Sequence, residues 1–330
     1  MKGFIEKIIT GNDLTADEME QAFDIIMSGK AGYIQVGAFL VALRAKGETP
    51  AEIASAAKIM RKKALNVVVK GDVFDTCGTG GDNASTFNIS TAVAFVLAGA
   101  GKKVAKHGNR SVSSSSGSAD CLEELGVPID LGPDKAAESI NDKGFAFLFA
   151  PMYHPSMKYA MPARKQLGMK TIFNILGPLS NPAGATHQVI GVFADSLIDP
   201  IIEVLAMLGL KGAMVVHSGL DEVSISGPTR YARLTDGCIT KGLINPEEDA
   251  GIDMNENGGL HVSNAQESAR RIQGIFDGSI RGACLDSVLI NAAAAFMASD
   301  GNVTVAEGMN MAREVIDKGR AMDALAKVRA

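Results

Sequence analysis

Carboxylates, hydroxyls and cations gather in a few short stretches of this sequence. The first is Asp75-Thr76-Cys77-Gly78-Thr79-Gly80-Gly81-Asp82, which follows one apolar run and precedes another. Glycines there let the backbone approach an anion, with amides and a following helix N-terminus aimed at it. A plain strand-to-helix turn would use the same glycines. The spacing is neither a Walker A loop nor G-x-G-x-x-G, so nucleotide and dinucleotide cofactors lose support. Next comes Asn88-Ile89-Ser90-Thr91, at the head of an apolar helix pattern. N-capping accounts for one of its polar residues; three in four positions offers further acceptors for a ligand or its metal.

The most informative stretch runs from Lys106 through His107, Gly108, Asn109, Arg110, Ser111, Val112, Ser113, Ser114, Ser115 and Ser116 to Gly117-Ser118-Ala119-Asp120. Two fixed cations, an amide and six hydroxyls on a glycine-punctuated loop suit a polyanion that also carries hydroxyls, such as a phosphorylated sugar. A serine run alone would be a flexible linker, but the flanking residues and the strand–helix setting speak against that. Asp221-Glu222, in a glycine-bearing loop after an apolar run, offers adjacent carboxylates of the kind that bind Mg²⁺ directly or through water; a solvated acidic turn is the plainer alternative. Asn174 to Pro182 is rich in turn formers and reads equally as a structural loop. His154 and Arg164 precede it, each weak evidence alone. The histidines lack zinc spacing, and the cysteines lack a nucleophile signature.

The elements that position these residues can be read from capping and periodicity. Through residue 65 the pattern is helical. Thr15-Ala16-Asp17-Glu18 and Thr49-Pro50-Ala51-Glu52 are capping boxes, with Leu14 and Met19 placed as a hydrophobic staple and Gly29 as a stop. Ile53, Ala57, Met60 and Ala64 fall on one helix face. From Val67 short apolar runs alternate with helical stretches: strands over 73–76, 103–105, 146–149, 189–193 and 214–216, and helices over 90–98, 134–141 and 199–208. That alternation predicts an α/β fold with a mostly parallel central sheet flanked by helices, beside a small all-helical domain. The carboxyl-terminal part is helical again, with capping boxes expected at Ser263-Asn264-Ala265-Gln266 and Thr304-Val305-Ala306-Glu307.

Composition bounds the rest. The 330 residues suggest about two domains. At 46% hydrophobic and 21% charged the chain is globular rather than disordered. No apolar run reaches the ~18 residues of a membrane span, and the first residues lack a secretory h-region. A net charge of −5 argues against a general nucleic-acid surface. The four scattered cysteines fit reduced thiols in the cytoplasm.

Taken together, GTGGD, NIST, KHGNR followed by SSSSGSAD, Tyr153-His154-Pro155-Ser156-Met157, TIFNILGPLSNP and HSGLDE resemble, in order and spacing, the anthranilate phosphoribosyltransferase family of tryptophan biosynthesis. The resemblance covers nearly the whole chain. It implies a helical domain over 1–66 that also takes in a segment near 155–174, and a large α/β domain over 67–154 and 175–330. The active site lies in the hinge between them, in a homodimer built through the helical domains. The implied reaction joins anthranilate to 5-phosphoribosyl 1-diphosphate (PRPP), giving N-(5-phosphoribosyl)anthranilate and pyrophosphate, with a pair of Mg²⁺ ions per subunit. No nucleic acid or membrane partner is implied.

By the same resemblance Gly78, Gly81, Asp82 and Thr86 contact PRPP, while Asn88, Ile89, Ser90 and Thr91 cradle its pyrophosphate. Lys106, His107, Gly108, Asn109, Arg110, Ser111, Val112, Ser113, Ser114 and Ser118 grip ribose and phosphates. Ser90, Asp221 and Glu222 hold Mg²⁺. Gly78, Asn109, His154, Arg164 and Gly177 form the anthranilate site. No covalent nucleophile or strong base is expected, because an aromatic amine already carries its lone pair at neutral pH. Ser115 stands where many relatives carry lysine, which changes the loop's charge, and HSGLDE is a residue shorter than in some relatives. A pyrimidine nucleoside phosphorylase of related fold would be expected to add a carboxyl-terminal α/β domain. A non-catalytic nucleic-acid-binding relative would be expected to lose Asn109, Arg164, Asp221 and Glu222.

Overall fold

The computed structural model describes residues 1–80, 85–110, 116–253 and 259–329. Four helices open the chain: α1 (Lys2–Ile9), α2 (Ala16–Met27), α3 (Tyr33–Lys46) and α4 (Pro50–Lys63). Both expected capping boxes are present. The Glu18 amide donates to Thr15 Oγ1 at 3.3 Å while the Glu18 carboxylate accepts from the Thr15 amide at 2.8 Å. Thr49 and Glu52 repeat the exchange ahead of Pro50. Glu52 is fully buried and also accepts from the Leu14 amide at 3.0 Å and Lys46 Nζ at 2.9 Å. One carboxylate thus ties the start of α2 and the end of α3 to α4.

The α/β part follows as β1 (Val73–Gly78), α5 (Ile89–Gly99), β2 (Lys103–Gly108), α6 (Ser118–Glu124), α7 (Pro133–Lys143), β3 (Phe145–Phe149) and α8 (Ala150–Tyr153). A 3₁₀ turn at Pro155–Tyr159, α9 (Met161–Leu167) and α10 (Phe173–Leu179) lead to β4 (His187–Gly191), α11 (Ile198–Met207) and β5 (Gly212–His217). Then come β6 (Thr229–Thr235), β7 (Cys238–Ile244), α12 (Pro246–Ala250), α13 (Ala265–Phe276), α14 (Ala283–Ser299), α15 (Val305–Asp317) and α16 (Arg320–Val328).

The described strands form one seven-stranded sheet, ordered β3-β2-β1-β4-β5-β6-β7. Pairing is parallel from β3 across to β5 and antiparallel at β5–β6 and β6–β7. Alternate side chains feed opposite faces. Val104, Phe145, Phe147, Met214 and Val216 pack with α5, α14 and α16. On the other face Ala105, Ala146 and Leu148 meet α7, while Ile190, Ala213 and Val215 share a core with α11 and the amino-terminal helices. Ala160, Ala163, Ile172 and Phe173, from the middle of the chain, join that same helical core, and the Phe173 ring lies 5.6 Å from Phe23.

Five strands fall where periodicity places them, with β4 beginning two residues earlier and ending at Gly191. The β6–β7 hairpin was not anticipated. Its edge strand β7 is largely exposed and carries little apolar alternation. The signal that marks it is Asp236-Gly237, both at positive φ, the pairing of a tight hairpin turn. One cap is also shifted: Asn264, not Ser263, caps α13, accepting from the Glu267 amide at 2.8 Å, while the Ser263 amide and hydroxyl both donate to the Glu267 carboxylate. The box at Thr304 forms as expected.

Candidate active site

Strand order reverses around β1, which pairs with β2 on one side and β4 on the other. Open α/β sheets bind ligands beyond the carboxyl ends of strands at such a point. Two adjoining cavities lie there, of about 520 Å³ and about 510 Å³. Cys77, Gly78, His107, Gly108, Asn109 and Arg164 line both. The first is walled by apolar groups, among them Met60, Met157, Met161, Phe173 and Pro178. The second is polar and collects Thr86, Asn88, Ser90, Lys106, Asp221 and Glu222.

Lys106 is buried in β2, where its Nζ donates to the Thr76 carbonyl at 2.5 Å and to Ser90 Oγ at 3.2 Å. Burial pushes its pKa down, opposed by the charge of Asp75. Asp75 is buried in β1 and pushed up by the same desolvation, with Lys106 opposing. Asn181 bridges the two strands, donating to Asp75 Oδ2 and to the Ala105 carbonyl, each at 2.8 Å. The His107 amide donates to Asp75 Oδ1 at 3.2 Å. The Asn174–Pro182 stretch therefore holds strand ends in place through Asn181, while its Gly177 and Asn174 face the apolar cavity.

The acidic loop is equally fixed. Ser218 Oγ donates to the Glu222 carbonyl at 2.9 Å, and the Val223 amide to Asn291 Oδ1 at 2.8 Å. Asp221 Oδ2 accepts from the Gly80 amide at 2.9 Å. A Cβ on Gly78 would strike the Asp221 carboxylate, and one on Gly191 would strike the Asp221 backbone carbonyl. Those glycines at the ends of β1 and β4 are what admit the loop; Gly191 was not singled out from the sequence. Glu222 and Ser90 also share a narrower cleft with Thr76 and Asn291.

Around the apolar cavity, His107 and His154 are buried with ring centroids 5.1 Å apart. His107 Nδ1 lies 3.2 Å from the Gly177 carbonyl, which can only accept, so that nitrogen bears the proton. Burial first, then the neighbouring His154, pushes His107 down to about 3. Burial pushes His154 down to about 4, a weak backbone contact at Ser180 opposing. Both rings are neutral at pH 7. Arg164, from α9, lies over the Phe173 ring at 5.1 Å with Nη1 3.8 Å from Met161 Sδ. It has no carboxylate partner among the described residues, and burial pushes its pKa down.

Other expected site residues behave differently. Asn88 uses its side chain on Ser116 and Ser268 rather than as a helix cap. The Ile89 side chain is in the core. Thr91 is fully buried and lines neither cavity, so its hydroxyl is not part of the wall. Arg110 reaches the polar cavity but is paired with Glu123 and Asp120, at 2.5 and 2.6 Å, which raise its pKa. Ser118 lines the polar cavity and donates to the Asn109 carbonyl. Gly81, Asp82, Ser111, Val112, Ser113, Ser114 and Ser115 lie outside the described residues. Lys170, not singled out from the sequence, lines the polar cavity with its Nζ 3.5 Å over the Phe193 ring; no motif marks it.

The arrangement pairs a polar compartment suited to a phosphorylated, metal-bound ligand with an apolar one that presents an uncompensated guanidinium. The helical bundle domain of a glycosyl transferase family matches residues 2–64, and the a/b domain of that family matches residues 70–322. The anthranilate phosphoribosyltransferase of Persephonella marina is 49% identical over 100% of this chain and 98% of its own length. That of Petrotoga mobilis is 48% identical over 98% and 94%. The crystal structure of the Thermus thermophilus anthranilate phosphoribosyltransferase superposes with a TM-score of 0.91 at 37% identity, covering 99% of both chains. The Saccharomyces cerevisiae enzyme in complex with PRPP and Mg gives 0.90 at 27%, covering 99% of this chain and 96% of that one. This chain belongs to the anthranilate phosphoribosyltransferase family.

Proposed function

We propose that this chain transfers the 5-phosphoribosyl group of PRPP to the amine of anthranilate, releasing pyrophosphate, in the tryptophan branch of aromatic amino-acid synthesis. The observation that carries the reading is Arg164: a guanidinium without a carboxylate partner among the described residues, in a largely apolar cavity, walled in part by Phe173, that adjoins a polar one. A planar fork of donors suits an aromatic carboxylate. Asn109, His154 and Gly177 complete that acceptor site.

PRPP is assigned to the polar cavity. There Gly78, Thr86 and Ser90 at the head of α5, with Lys106, His107, Gly108, Asn109 and Ser118, surround phosphates and ribose. Gly81, Asp82, Ser111, Val112, Ser113 and Ser114 belong to the same assignment on the family resemblance alone. Mg²⁺ goes to Asp221 and Glu222 with Ser90. No group of three His, Cys, Asp or Glu side chains able to cage a metal occurs among the described residues. Two carboxylates and a hydroxyl suit an ion that completes its shell with substrate phosphates and water. When bound, Mg²⁺ screens the charge of the departing pyrophosphate. A pair of ions per subunit is part of the proposal.

The residues act by position and charge. Lys106 and the α5 N-terminus stabilise negative charge gathering on the leaving group. Positive charge grows on the ribose ring as its C1–O bond loosens, and His107 and His154, neutral at pH 7, add none beside it. Arg164 and Asn109 hold anthranilate so that its amine faces C1, replacing a bimolecular encounter with a positioned one. No side chain need remove a proton before attack.

Residues 1–66 with 155–174 are proposed as the helical domain, beside an α/β domain over 67–154 and 175–330, supported by the shared packing of Ala160, Ala163 and Phe173 with the amino-terminal helices. A homodimer through those helices is supported by α3, which exposes Tyr33, Ile34 and Val41, Ile34 at 88%. A cytoplasmic location goes with it, the four cysteines being free thiols. Release of pyrophosphate tests the activity: the purified chain is expected to liberate it only with PRPP, anthranilate and Mg²⁺ together. Release without anthranilate would leave a PRPP hydrolase instead.

A further inference from the structure

Residues 85–88 run into the N-terminus of α5, where the pyrophosphate is assigned, and they are strapped by a distant part of the chain. The Val262 amide donates to the Ser85 carbonyl at 2.9 Å, and the Phe87 amide to the Leu260 carbonyl at 2.9 Å. Thr86 and His261 form a bridge between these bonds. The strap ends at Ser268, in the first turns of α13, whose side chain is fully buried and lines neither cavity.

Ser268 and Asn88 exchange hydrogen bonds in both directions. The Asn88 amide donates to Ser268 Oγ at 2.9 Å, and Ser268 Oγ donates to Asn88 Oδ1 at 2.7 Å. The second lone pair of Oδ1 takes the Ser116 hydroxyl at 2.8 Å, while Asn88 Nδ2 donates to the Ser116 carbonyl at 3.3 Å. Ser116 leads directly into Gly117, the N-cap of α6, and Ser118. Cys121 Sγ, from α6, lies 3.5 Å from Ser268 Oγ. One buried hydroxyl therefore sets the rotamer of Asn88, and through it the spacing between the heads of α5 and α6.

We propose that Ser268 is a positioning residue for PRPP: acting through Asn88, it fixes the α5 N-terminus and the Ser116–Ser118 turn, which line one cavity, at the separation the diphosphate and ribose require. The inference rests on the assignment of PRPP to the polar cavity. A helix terminus helps an anion only within its first turn, so a small displacement of the α5 terminus weakens the grip. Among the described residues no hydrogen bond links Ser268 to Arg164, His154 or Gly177; Asn109, which lines both cavities, is reached only through the head of α6, so PRPP is affected more than anthranilate.

Ser268→Ala in this chain leaves the Asn88 backbone amide and Oδ1 each one partner short where they face the buried side of α13. Removing a buried hydrogen-bond partner predicts a rise of roughly 5- to 30-fold in the KM for PRPP, with a much smaller change in the KM for anthranilate. Because Ser268 acts through Asn88, Ser268→Ala added to Asn88→Ala is expected to raise the PRPP KM no further than Asn88→Ala alone. An unchanged PRPP KM, equal rises for both substrates, or additive effects in the double variant would overturn the proposal. Ser268→Cys, close in size with a weaker donor, carries the same test where alanine lowers soluble yield: a PRPP-selective rise supports the proposal, and an unchanged PRPP KM overturns it. Absence of PRPP-dependent turnover in the parent chain would instead overturn the functional reading itself.

Discussion

Replacing Arg164 by alanine separates the two substrates. In the structure its guanidinium rests on Phe173 at 5.1 Å and touches Met161 Sδ at 3.8 Å, neither of which neutralises its charge. Burial lowers its pKa, so the charged form is poorly solvated and gains by meeting an anion. Stacking on Phe173 that persists when ligand binds cancels from the difference. What is lost with the side chain is a charge-assisted hydrogen bond of about 1.5–3 kcal/mol, or roughly 10- to 150-fold. That loss is expected in the KM for anthranilate, with a much smaller change for PRPP. Arg164→Lys, which cannot present two parallel donors, should recover only part of it. Initial rates followed by anthranilate fluorescence, varying each substrate in turn, measure both constants. Equal weakening of both substrates would refute the reasoning and make Arg164 a structural residue of the α9 packing.

Asp221→Asn with Glu222→Gln should lower turnover and raise the Mg²⁺ concentration needed for half-maximal rate; an unchanged Mg²⁺ titration would remove these carboxylates from the metal site. A Cβ at Gly177 meets nothing within 4 Å and projects into open space at the acceptor cavity. Gly177→Ala should therefore leave the Tm at or above that of the parent while raising the anthranilate KM, and a fall in Tm with an unchanged KM would contradict the placement. His107 and His154, pushed to about 3 and about 4, take up protons in the unfolded chain below its ordinary ~6.5 while staying neutral when folded. Their contribution is fully present above pH ~6.5 and is lost as pH falls toward 4, by up to about 1.4 kcal/mol per pH unit for each ring. Urea unfolding at pH 7 and pH 5 measures it, and equal stability at the two would show that the rings are not held neutral.

Much of the scaffold was legible because local chemistry and global fold agree. Thr15, Thr49 and Thr304 cap the helices their spacing announces, and the parallel strands, buried on both faces, appear as short apolar runs. Strand β7 was missed because an exposed edge strand needs no apolar alternation. In the site, glycines and acids were readable as types, but their partners were not. That Gly191 gives way to the Asp221 carbonyl, or that Ser268 grips Asn88 from 180 residues away, depends on tertiary placement that no local pattern encodes. Arg110 shows the converse: a cation suited to phosphate by type is already paired with Glu123 and Asp120. Thr91 lies on the buried side of α5, although it neighbours Ser90 in sequence.

The most direct test of the account is the fluorescence of anthranilate in the presence of the purified chain. With PRPP and Mg²⁺ both present, the signal is expected to decay to completion as the amine is ribosylated. It should persist when either is omitted, and ribose 5-phosphate, which lacks the diphosphate leaving group, should not substitute for PRPP. Stable anthranilate fluorescence in the complete mixture would contradict the assignment of the two cavities to these two substrates.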